Sequence, residues 1–98
     1  MSNDNQILIP QSFLDLFLNP GRTRHHAPHA LIMERYELCE DLASALVEQA
    51  NTRQWELGVE KEDIVGRIHQ GLLSGEAGLS EAEAQWVSLR LSELMDSH

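Results

Sequence analysis

Apolar residues recur along this chain at intervals of three and four, the spacing that keeps them on one side of a helix. The longest such stretch runs from Ala30 to Leu57. Projected at roughly 100° per residue, Leu31, Ile32, Tyr36, Leu38, Cys39, Leu42, Ala43, Leu46, Val47 and Ala50 cover about half of the circumference. Glu34, Glu37, Glu40, Asp41 and Glu48 cover the other half. An arc that wide predicts a central helix packed against two neighbours. Gly58 is placed to end it.

Ile64, Val65, Ile68 and Leu72 form a single narrow stripe and predict a helix over about 60–73. Its opening acids, Glu60, Glu62 and Asp63, suit the positive end of a helix dipole. Gly66 disfavours a helix interior by about 1 kcal/mol relative to alanine, and its missing side chain is expected to let the central helix come close. Ser80-Glu81-Ala82-Glu83 has the form of a capping box and predicts a last helix over about 81–96. That helix carries two stripes. Ala84, Val87, Leu91, Leu94 and Met95 form one; Ala82, Trp86 and Leu89 form a second on nearly the opposite side.

Before the central helix, Pro10 can open a short helix over about 10–18, and Asn19-Pro20-Gly21 can stop it. Residues 1–9 are expected to be flexible and 19–29 to form a loop. No segment alternates long enough to predict a strand. The fold class is therefore all-α: a three-helix bundle with a short additional N-terminal helix, in one helical domain over 10–98.

Composition changes this picture mainly through charge. The 98 residues, 42% hydrophobic and 23% charged, suit one globular domain. The formal net charge is −9, and residues 30–98 carry all of it, with fourteen acids against five bases. Such a field repels nucleic acid and anionic membrane, so neither is an expected partner. Cys39 is the only cysteine, which excludes an intramolecular disulfide and a multi-cysteine zinc site. Met1-Ser2-Asn3-Asp4-Asn5 lacks the features of a signal peptide, and no apolar run reaches membrane-spanning length, so a cytoplasmic location is expected.

Four constellations bear on chemistry. His25, His26 and His29 are weak candidate metal ligands, because imidazoles suit zinc, copper or nickel but the loop offers no cysteine or acid beside them. With Arg22 and Arg24 they form the one basic stretch, so a metal- or anion-responsive binding protein using residues 22–29 is the alternative function. The acid row on the central helix contains no Glu-x-x-His pair of the di-iron type and is expected to be solvated. Phe13-Leu14-Asp15-Leu16-Phe17 resembles the peptide with which bacterial proteins bind the replication sliding clamp, although Phe13 stands where that peptide has glutamine. Phe13 and Phe17 also fall at helical spacing, fit to dock on a neighbouring helix.

The fourth is the surplus stripe of Ala82, Trp86 and Leu89. A tryptophan there suits an interface anchor, unless the N-terminal helix covers it; Trp55 and Met33, also outside the main apolar arc, extend such a patch. No Gly-x-Ser-x-Gly and no Gly-x-x-x-x-Gly-Lys-Ser/Thr occurs. The chain is therefore expected to be non-enzymatic, without catalytic residues or cofactor. The leading expectation is a protein-interaction module (an adaptor, regulator or accessory subunit) that binds another protein or itself through Trp86, Leu89, Ala82, Phe13 and Phe17.

Longer stretches carry a family resemblance. Ile9-Pro10-Gln11-Ser12-Phe13-Leu14-Asp15-Leu16-Phe17, Pro20-Gly21-Arg22-Thr23-Arg24, Arg35-Tyr36-Glu37-Leu38-Cys39-Glu40-Asp41-Leu42 and Arg67-Ile68-His69-Gln70-Gly71-Leu72-Leu73 resemble a family of small, uncharacterised proteobacterial proteins. Its members are sometimes labelled ATPases with chaperone activity. The resemblance implies a bacterial cytoplasmic protein and no established activity.

Overall fold

Each predicted helix has a counterpart in the computed structural model, which describes residues 8–18 and 27–97. The order is α1 (Gln11–Leu14), a 3-10 turn (Asp15–Phe17), α2 (His29–Leu57), α3 (Lys61–Leu72) and α4 (Glu81–Asp96). The described residues contain no strand, and the fold class is all-α. The chain divides into two compact units, Met1–Tyr36 and Glu37–His98, and α2 runs through the boundary.

In the first unit the predicted helix over 10–18 is α1 and the tighter turn that follows. The Pro10 carbonyl accepts from the amides of Phe13 and Leu14 at 3.0 and 3.1 Å, which starts the helix. Leu18 leaves it with extended backbone angles, its amide still donating to the Asp15 carbonyl at 3.2 Å. So short a helix has too few internal bonds to propagate, and the 3-10 form closes its end. Phe13 and Ile32 are fully buried. The Phe13 ring lies 5.5 Å from the rings of both Phe17 and Tyr36, in tilted and edge-on arrangements. These are the offsets that aromatic quadrupoles favour.

In the second unit the C-terminal half of α2 packs with α3 and α4. Ala50, Ile64, Leu91 and Met95 form a buried cluster, and Leu46, Val47, Val59, Val65 and Ile68 pack against it. The predicted two-neighbour packing of α2 is realised here. The breadth of its arc is corrected, however: Leu31 and Leu38, at one edge, stay 44% and 43% exposed. Lys61, the first residue of α3, donates to both carboxylate oxygens of Asp96, the last residue of α4, at 2.7 Å, tying the two ends together.

The stops and starts follow from backbone chemistry. Gly58 has φ +66°, where a Cβ would be strained, and its amide donates to the Gln54 carbonyl at 2.9 Å. At α4 the capping box is complete. The Glu83 amide donates to Ser80 Oγ at 3.1 Å, and the Ser80 amide donates to Glu83 Oε1 at 2.9 Å. Ser80→Ala removes one acceptor and is expected to lower the unfolding free energy by about 1 kcal/mol, read as a lower urea midpoint at unchanged slope.

Candidate interaction surface

The stripe of Ala82, Trp86 and Leu89 is not uniformly accessible. Trp86 is 8% exposed, whereas Leu89 is 60% exposed and Ala82 is also open. What α4 offers to solvent is thus a leucine rather than a tryptophan. The exposed tryptophan is Trp55 on α2, at 85%.

Leu89 stands in a groove of about 330 Å³ between α3 and α4. Glu62, Val65, Gly66 and His69 line it from α3; Gln85, Ser88, Leu89 and Ser92 line it from α4. Both sets follow the three-and-four spacing, so the groove runs along the two helices for about two turns. Small residues keep its floor low. The Ser88 hydroxyl is buried and donates back to the Ala84 carbonyl at 2.9 Å, which removes it from chemistry in the groove. Gly66 corrects an expectation: a Cβ there would meet nothing within 4 Å, so the glycine opens the groove instead of admitting the central helix.

Although Glu62, His69 and Ser92 all line this groove, no hydrogen bond joins them. Among the described residues no group of three or more His, Cys, Asp or Glu is placed to hold a metal ion. His29 is the exposed first residue of α2; Arg22, Arg24, His25 and His26 lie outside the described residues. Phe13 is wholly buried and Phe17 partly so, and both sit in helical turns, unlike the extended form of a clamp-binding peptide.

The acid row is split. Glu34, Glu37, Asp41 and Glu48 are exposed as expected, but Glu40 is half-buried and bound. Arg90 donates to it through Nε at 2.9 Å and Nη2 at 3.0 Å, and to Glu93 through Nη1 at 3.1 Å. The bidentate bond to Glu40, and then Glu93, hold the guanidinium above its ordinary pKa against the opposing effect of burial. The pair joins α2 to α4 within the second unit. A double-mutant cycle of Glu40→Ala and Arg90→Ala is expected to give a coupling of about 1 kcal/mol, smaller in high salt because both side chains reach solvent.

The unit that holds the groove is acidic. Residues 37–98 contain thirteen acids and four bases. No described helix is long and apolar enough to cross a membrane. Comparison of the chain with protein-family models, with curated proteins and with solved structures finds no match.

Proposed function

We propose that this chain is a non-enzymatic interaction module whose α3–α4 groove receives a cationic amphipathic helix of another protein. The exposed Leu89 beside the Val65–Gly66 wall carries this reading. A helix laid in a groove places apolar anchors at three-and-four spacing, the spacing of the lining residues here. Leu89 and Val65 supply apolar contact, and Gly66, Ser88 and Ser92 leave room for the incoming side chains.

Charge selects the occupant. With thirteen acids against four bases in residues 37–98, the surface attracts a basic partner and repels a second copy of itself. Polar groups at the rim, Glu62, His69 and Gln85, can bond to a partner's flanking side chains. The test is calorimetry with two designed helices that share a leucine face, one with lysine and one with glutamate on the other side. The reading expects the lysine helix to bind, with affinity falling as salt rises, and the glutamate helix not to bind. Equal binding of the two, or sedimentation as a dimer that loses its association when Leu89 becomes serine, contradicts it.

A further inference from the structure

We propose that a second cleft, between the C-terminal half of α2 and α3, binds a single carboxylate carried on a short apolar chain. Its volume is about 190 Å³, and its walls are Gln49, Arg53 and Leu57 from α2 and Ile64, Arg67 and Ile68 from α3. Gln49, Arg53 and Leu57 fall at successive intervals of four, so they share one face of α2. The cleft uses other residues of α3 than the groove of Leu89 and does not depend on the helix-binding reading.

Residues 37–98 contain four bases. Lys61 is held by Asp96, and Arg90 by Glu40 and Glu93. The other two, Arg53 and Arg67, line this one cleft. Arg53 forms no ion pair among the described residues. Arg67 uses Nε to donate to Asp63 at 2.9 Å, an exposed pair along α3. Its terminal nitrogens have no partner among the described residues. Guanidinium forks match a carboxylate in shape, and the Gln49 amide adds a further donor.

Below the charged rim the cleft is apolar. Ile64 is almost completely buried, Ile68 is half-buried, and Leu57 is partly open. A ligand that satisfies both parts has a negative head and a hydrocarbon tail. The volume, below the roughly 300–1,000 Å³ of sites for larger ligands, limits that tail to a few carbons. A multiply charged anion such as phosphate is disfavoured, since Asp63 stands beside Arg67 and the surrounding field is strongly negative. Both a free short-chain acid and the C-terminal residue of a peptide have this chemistry.

The test is an NMR titration of the full chain with sodium hexanoate, hexanol and inorganic phosphate. A fourth arm uses an acetylated peptide ending in leucine, as the free acid and as the amide. Hexanoate is expected to give saturable shifts at the Arg53 and Arg67 side-chain N–H groups and at the Ile64 methyls; hexanol and phosphate are not. Arg53→Gln and Arg67→Gln should each weaken hexanoate binding about tenfold, the cost of losing a charged hydrogen bond. Both side chains are at the surface, so an unchanged urea midpoint will show that the fold is kept. Tighter binding of the peptide acid than of hexanoate, with none of the peptide amide, identifies a chain terminus as the source; the reverse order identifies a free acid. Equal responses to hexanoate and hexanol, or hexanoate binding unaffected by Arg53→Gln, overturn the proposal.

Discussion

Trp86→Ala is expected to destabilise the chain by about 3–5 kcal/mol, the cost of deleting a large buried aromatic side chain. Small domains have only about 5–15 kcal/mol in total, so the variant should lose a large share of its unfolding free energy. Trp55→Ala should shift stability by less than about 0.5 kcal/mol, as surface changes do. The contrast follows from exposure alone, 8% against 85%. Urea denaturation followed by far-ultraviolet circular dichroism measures both, and avoids losing the fluorescence signal with the residue that is replaced. Acrylamide quenching gives an independent check: the Trp86→Ala protein keeps the accessible indole, whereas the Trp55→Ala protein keeps the shielded one. If the two substitutions cost the same, the burial assigned to Trp86 is wrong.

Leu89→Arg should leave the fold intact and remove partner binding. The side chain is open to solvent, so stability is expected to stay within about 0.5 kcal/mol of the original. Binding to a cationic helix should weaken by at least about 2 kcal/mol, or roughly thirtyfold in Kd, because an apolar anchor is lost and a like charge takes its place. Leu89→Ser separates the two causes. It removes the anchor without adding charge, and should give a smaller but still clear loss. Calorimetry with the lysine-faced helix reads both variants; full affinity in the serine variant means that Leu89 is not an anchor.

Much of the helical framework was legible from local chemistry. The Ser80–Glu83 box, the stop at Gly58 and the narrow stripe of Ile64 and Leu72 each depend on residues a few positions apart, and each is found where the spacing places it. Tertiary choices were less legible. A helical projection ranks faces but does not say how far a neighbour reaches around them, so Leu31 and Leu38 read as core although they stay partly open. Glu40 read as one of a solvated row because its partner, Arg90, is fifty residues away. The same limit applies to the candidate sites. Trp86 and Leu89 share a stripe in projection, yet one is buried and the other exposed. Gly66 reads as a helix contact yet lines the groove, since a missing side chain serves either purpose. Arg53 and Arg67 gave no signal as a pair, for they meet only when α2 and α3 fold against each other.

On the proposed function, the α3–α4 groove, rather than the acidic surface at large, recognises a partner. The most direct measurement is backbone chemical-shift mapping of the full chain titrated with the lysine-faced helix. Saturable shifts are expected at Val65, His69, Gln85, Leu89 and Ser92, largely abolished in Leu89→Arg. Shifts concentrated instead along Glu37, Asp41 and Glu48 on α2, and unchanged by that substitution, would show that charge alone governs binding and that the groove is not the binding site.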